Sequence, residues 1–247
     1  MDISGRGKVD LTIDEDKIGW ITISNLDGNT IDIEVLQDFL SALTDVMGNE
    51  DIRVVALRGK GGRAFSVGYN GSCVRINDRS FLKNIYSLGF SISRALQTLN
   101  LPVISVVDGL ALGMGLEFAL STDMIIASNH SRFGMPDLKF GLPSFTGIIP
   151  EIMDRFPSQS YNRIISGEIM DAIEAKSMGF VSSVLPDDSF SKESRKFLKE
   201  INPDLFTFYK SMRNTSNRSS TVDRLFFDVY DTSKIKLKEL YAFRNSL

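Results

Sequence analysis

Hydrophobic and polar positions alternate along the first stretch of the chain, and the period then changes. Val9–Asp14 and Gly19–Ser24 each alternate at period two, with Glu15-Asp16-Lys17 between them, which predicts a β-hairpin. Asn25–Asn29 reads as a polar turn. Ile33, Leu36, Leu40, Leu43 and Val46 then recur at spacings of three and four, which predicts a helix with Asp32 as its N-cap. Val54–Leu57 is a short continuous apolar run, as in a strand covered on both faces. Gly59–Gly62 breaks the pattern, and Ala64–Gly68 leads into a loop. Phe81, Ile85, Leu88, Ile92 and Leu96 mark a second long amphipathic helix.

Val103–Val107 predicts another buried strand and Asp108-Gly109 a turn. Leu110–Gly115 reads as a small-residue loop, Leu116–Leu120 as the start of a helix, and Met124–Ala127 as a strand. A short helix is expected over Met170–Met178, closed by Gly179, and a last strand over Val181–Val184. From about Pro186 the chain is charged and helical by pattern, with breaks at Pro203 and around Asn214–Ser220. Its apolar positions are too few for a separate core, so it is expected to pack on the main domain or on a neighbouring subunit. Strands alternating with helices predict α/β layering.

Composition narrows the picture. The 247 residues suffice for one large domain with a smaller appendage, here 1–186 and 187–247. A net charge of −3 without a basic block argues against nucleic-acid binding. A single cysteine, Cys73, excludes an internal disulfide framework and suits a reducing cytoplasm. No apolar signal segment opens the chain. The most apolar stretch, Leu101–Leu120, contains Pro102, Asp108 and Glu117 and reads as strand, turn and buried helix, not as a membrane span.

The chemistry concentrates in two segments, Ala64–Asn70 and Pro102–Asp123. Each runs from a buried strand through a glycine-containing loop, and the second enters a helix directly. Glycines let backbone approach a ligand, and the first N–H groups of a helix lack internal acceptors. Two such loops meeting offer two N–H donors to one oxygen, as an enolate or tetrahedral thioester intermediate requires. Taken singly, either loop serves equally well as a plain tight turn.

Together they resemble a known family. Ala64-Phe65-Ser66-Val67-Gly68-Tyr69-Asn70 is followed by Pro102-Val103, Gly109, Ala111, Gly113, Gly115, Glu117, Ala119 and Asp123. Ala127-Ser128, Arg132–Asp137, Glu174-Ala175 and Gly179–Val181 continue the order, with a weaker echo at Lys238–Phe243. On these residues the chain is identified as a member of the enoyl-CoA hydratase/isomerase, or crotonase, superfamily. The resemblance implies a spiral of ββα repeats with a helical C-terminal trimerisation or lid region.

It also implies roles. Backbone N–H groups of Tyr69 and Met114 would form the oxyanion hole. Phe65, Ser66, Gly68 and Asn70, with Gly113, would lie along the coenzyme A part of the substrate. Glu117 would be one acid/base and Asp137, twenty residues later, the other. The substrate would be an acyl-CoA thioester, with no cofactor, no metal, no nucleic-acid or membrane partner, and assembly as a homotrimer or a dimer of trimers.

The chain departs from the family pattern in four places. Met114 and Asn70 replace the usual glycine and aspartate. Asp137 is shorter than the usual glutamate by one methylene, roughly 1.5 Å of reach. Gly141–Ile148 carries its proline one place early and has Phe145 where a glycine is usual. Hydration of a 2-enoyl-CoA is therefore the leading expectation, beside double-bond isomerisation, thioester hydrolysis and acyl-CoA binding without catalysis. His130 is expected at the surface, and Cys73 is expected to be a packing residue.

Overall fold

In a computed structural model, residues 8–73, 75, 77–214, 242 and 245–246 are described. The echo at Lys238–Phe243 lies outside them but for Ala242. β1 (Val9–Ile13) and β2 (Ile18–Ile23) form the expected hairpin, with Val9 opposite Ile23. A single-turn helix α1 (Leu26–Asn29) takes the place of the expected polar turn. Asn29 there adopts a left-handed φ of 59°. Its side-chain amide donates to the carbonyls of Lys60 and Ala64, which fixes this turn against the next loop.

α2 (Ile33–Met47) starts where predicted, with the Asp32 carboxylate accepting from the Val35 N–H. Its buried face is Val35, Leu36, Phe39, Ala42, Leu43 and Val46, so the stripe sits one position round from the expected one and leaves Ile33 and Leu40 at its edge. Phe39 is wholly buried, a contribution of about 2–3 kcal/mol.

Three units then repeat strand, strand, helix. β3 (Val54–Gly59) leads to β4 (Ala64–Ser66) and α3 (Arg79–Thr98). β5 (Val103–Val107) leads to β6 (Leu110–Leu112) and α4 (Met114–Leu120). β7 (Met124–Ser128) leads to β8 (Arg132–Gly134), then α5 (Ile149–Arg155) and α6 (Ser158–Ile165). β9 (Ile169–Asp171), α7 (Ala172–Ser177) and β10 (Ser183–Leu185) close the spiral, and α8 (Phe190–Glu200) and α9 (Pro203–Asn214) follow. First strands of each unit join a six-stranded sheet, β1-β2-β3-β5-β7-β10. Second strands join a four-stranded sheet, β4-β6-β8-β9.

The second sheet corrects two expectations. Leu110–Leu112 is a strand and not part of a loop, because it pairs in parallel with both β4 and β8. Met170 belongs to β9, and the helix begins only at Ala172. There Asp171 and Glu174 form a reciprocal capping box that fixes the helix start. The last strand begins two residues later than predicted.

Successive residues of the large sheet face opposite ways, so it is apolar on both faces. Val55, Leu57, Val103, Val107 and Ile125 point to the main core with α2, α3 and α4. Ile18, Trp20, Val54, Ala56, Ile104 and Ile126 face the other way, where Phe190 and Leu198 of α8 cover them. The described part of the C-terminal region thus packs on the main domain. Arg195 adds ion pairs to Asp14, Glu15 and Asp16 of the hairpin.

Candidate active site

The four-stranded sheet delivers two loops to one place, one after β4 and one after β6. Gly113 adopts φ 51°, ψ −127°, a conformation that L side chains rarely adopt, and donates its N–H to the Gly134 carbonyl at 3.0 Å. Met114 is then the first residue of α4, and the helical ladder begins with the Glu117 N–H on the Gly113 carbonyl at 3.0 Å. The Met114 N–H therefore precedes the ladder and takes no part in it. A Cβ on Gly115 would lie 2.4 Å from the Ser66 carbonyl oxygen, so only glycine lets α4 press against the first loop.

In that loop Gly68 has φ 89°, and its N–H donates to the Ser66 hydroxyl at 3.1 Å. Ile31 bonds to the residues on either side of Tyr69, donating to Gly68 and accepting from Asn70. A parallel bridge of this kind turns the intervening Tyr69 N–H away from Ile31. Phe65 and Ser66 are fully buried. The Asn70 side chain accepts from the Ser72 N–H and hydroxyl and so closes the loop on itself.

Glu117, one turn into α4, is 2% exposed. Four donors converge on its Oε2: the Ser144 hydroxyl at 2.7 Å, the Thr146 hydroxyl at 2.6 Å, and the Phe145 and Thr146 N–H groups at 3.2 and 3.0 Å. No cation pairs with it among the described residues. Burial, helped by the nearby Asp137 charge, pushes its carboxyl up to about 7 against the pull of these donors.

Asp137 sits in a 3₁₀ turn, Pro136–Phe140, ended by Gly141 in the left-handed region, and is 5% exposed. A Cβ on Gly113 would lie 1.9 Å from Asp137 Oδ2, so the second carboxylate lies directly on the backbone that starts α4. Both acids and the Met114 N–H thus belong to one buried site. Such a site can hold a developing negative charge with backbone dipoles and move a proton with a carboxyl near neutrality.

The Ser144–Thr146 cradle escaped the sequence reading. Pro143–Gly147 stands out there only as a departure from the family pattern, although a Ser-Phe-Thr triplet with two hydroxyls is a usable signal for an acid's cradle. Phe145 does more than donate: its ring packs 5.9 Å from Tyr69 and its carbonyl rests on α3 at Gly89, where a Cβ would approach to 2.6 Å. His130 lies outside the site. Half exposed, it pairs with Asp187 at 2.9 Å and Asp108 at 3.4 Å. Among the described residues, no three His, Cys, Asp or Glu side chains group closely enough to hold a metal, and no helix is long and apolar enough to cross a membrane.

A ββα spiral with a glycine-started helix at the meeting of two loops is the architecture of the crotonase superfamily. A sequence model of the family "Enoyl-CoA hydratase/isomerase" matches residues 14–239, and the chain belongs to that family. It is 30% identical over 183 residues to the probable enoyl-CoA hydratase echA8 of Mycobacterium bovis, covering 73% of this chain and 70% of that one. The short-chain-enoyl-CoA hydratase of Clostridium acetobutylicum is 26% identical over 213 residues, covering 85% and 81%. The crystal structure of an enoyl-CoA hydratase from Bacillus anthracis superposes with a TM-score of 0.78 at 20% identity, over 97% of this chain and 96% of that one, which establishes the shared fold.

Proposed function

We propose that the protein is an enoyl-CoA hydratase, adding water syn across the double bond of a 2-enoyl-CoA. The observation that carries this reading is the pair of buried carboxylates at the start of α4, one raised to near neutrality and the other against Gly113. The Tyr69 and Met114 N–H groups bind the thioester oxygen and stabilise the enolate. Glu117 and Asp137 hold the water between them, one removing its proton and the other protonating the α-carbon. The loop of Phe65, Ser66, Gly68 and Asn70, with Gly113, lines the coenzyme A part of the substrate.

No cofactor is needed, because the thioester itself supplies the electron sink. The enzyme works in the cytoplasm as a homotrimer or a dimer of trimers, its region 187–247 serving assembly and closure. A second reading, double-bond isomerisation, draws on the short reach of Asp137, since one carboxylate shuttling a proton between carbons suffices for it.

Adding the protein to crotonyl-CoA tests both. Hydration predicts a fall in enoyl-thioester absorbance without release of free thiol. Thiol release points to hydrolysis instead, and an unchanged spectrum with tight thioester binding removes hydration.

A further inference from the structure

The face of the large sheet turned away from this site ends in a second cavity, of about 230 Å³. It opens at the carboxyl ends of β2 and β3, beside β5 and under the first turn of α8. Crevices at the carboxyl ends of parallel strands are recurrent ligand sites in α/β sheets. Along β2 and β3 the outward positions run Ile18, Trp20, Thr22 and Val54, Ala56, Arg58, so the apolar stripe gives way to polar groups where the cavity begins.

Arg58 is the cavity's fixed point. Its guanidinium stacks 4.5 Å over the Trp20 ring, and its Nε donates to the Thr22 hydroxyl at 3.0 Å. No carboxylate forms an ion pair with it among the described residues, and burial lowers its pKa. Asp14, whose charge acts on it, is engaged by the Trp20 indole N–H and by Arg195. A guanidinium held in place by stacking and a hydrogen bond, and without a counter-ion, is an open half of an ion pair.

The other groups fit the same ligand. Lys60 lines the cavity and likewise has no ion pair among the described residues. Ser191 presents a hydroxyl from the first turn of α8, whose leading N–H groups favour negative charge, while the Ser194 hydroxyl on the same wall donates to the Ser191 carbonyl. Asp108, the acid on the wall, is engaged by His130.

We propose that this cavity binds a phosphate monoester, with Arg58 and Lys60 matching the two charges of the dianion and Ser191 donating to a remaining oxygen. Its volume admits such a headgroup but falls below the roughly 300 Å³ at which pockets for whole drug-sized ligands begin. The site is separate from the thioester cleft, because it lies on the opposite face of the sheet.

Trp20 is the only tryptophan, so its emission reports on this cavity alone. Titrating the full chain with inorganic phosphate at constant ionic strength should give a saturable change in that emission, with acetate much weaker. Arg58→Met keeps the stem on Trp20 and removes the charge. It should weaken phosphate binding at least about tenfold, read in parallel by calorimetry, while leaving the KM for crotonyl-CoA unchanged. If Arg58→Met fails to fold by circular dichroism, Lys60→Gln and Ser191→Ala carry the test, each expected to weaken binding several-fold. A response that sodium chloride reproduces, or that persists in these variants, overturns the proposal. So does a raised KM for crotonyl-CoA in the variants, which would assign the cavity to the phosphates of coenzyme A.

Discussion

Two buried carboxylates stand six residues apart, one within the short helix α4 and one just past its end, and they are treated differently. Asp123, just past α4, accepts from the Val103 N–H and from the Lys210 ammonium at 2.7 Å. Lys210 and Asp123 have side chains only 3% and 1% exposed, and the ammonium also donates to the Leu96 and Leu101 carbonyls. Glu117 receives two hydroxyls and two backbone N–H groups instead, and no cation. These donors favour the ionised form of Glu117, but burial outweighs them and raises its carboxyl to about 7. The acid with a counter-charge ties α9 to the core, and the acid without one is raised toward neutrality, where it can exchange a proton.

The largest effect expected from breaking this contrast is on Glu117. Glu117→Gln should lower turnover of crotonyl-CoA by about 10²–10⁴-fold, as loss of a general acid/base does. The same variant should be more stable than the wild type at pH 8. A carboxyl raised from 4.5 to about 7 favours the folded state while protonated, and that advantage fades as pH rises from 4.5 through 7. The difference is about 3 kcal/mol, which chemical denaturation at pH 5 and pH 8 would resolve. Equal stability of the two proteins at both values would contradict the raised carboxyl.

At the other end of the helix, Lys210→Met should cost about 3–5 kcal/mol of stability, because it leaves Asp123 buried without its cation. Adding Asp123→Asn should restore part of it, and turnover per folded molecule should barely change in either variant. A loss of turnover matching that of Glu117→Gln, in protein shown to be folded, would erase the distinction between the two acids.

Thr146→Val sharpens the comparison from within the cradle. It removes the 2.6 Å hydroxyl donor to Oε2, so the Glu117 carboxyl should rise by about one further unit, and the acid limb of the pH–rate profile should rise with it. Gly89→Ala should move the limb in the same direction, since a methyl there must displace the Phe145 carbonyl. An unmoved limb in both would show that the cradle does not set the charge of Glu117.

His130→Ala should have the smallest effect. Asp187, by hydrogen bonding, raises the His130 pKa, so the contact stabilises below the unfolded value of 6.5 and is lost as pH rises through the folded value. The group is half exposed, so the gain is under about 1 kcal/mol. Matching denaturation midpoints at pH 5.5 for variant and wild type would remove it altogether.

The same contrast explains what was legible in the sequence. The start of α4 was readable because a left-handed Gly113 and a close-packed Gly115 admit hardly any other residue, so geometry wrote itself into spacing. The hairpin and α2 were readable because each buries one face over enough residues for its period to show. The second sheet was not, because β4, β6, β8 and β9 have only three residues each, too few for an alternation to register. α5 and α6 were not predicted; Pro150 and Pro157 stand at or just before the start of each helix. The cradle of Glu117 was invisible for a different reason: half of its donors are backbone N–H groups, which carry no residue signature.

The proposed chemistry depends on the charge of one carboxyl. A carboxyl-carbon NMR titration, assigned by the resonance missing in Glu117→Gln, should place the Glu117 midpoint near 7 in the wild type, well above the ordinary glutamate value. A midpoint near 4.5 would mean that Glu117 is a fixed anion like a structural acid, and the proton-transfer role given to it here would fall.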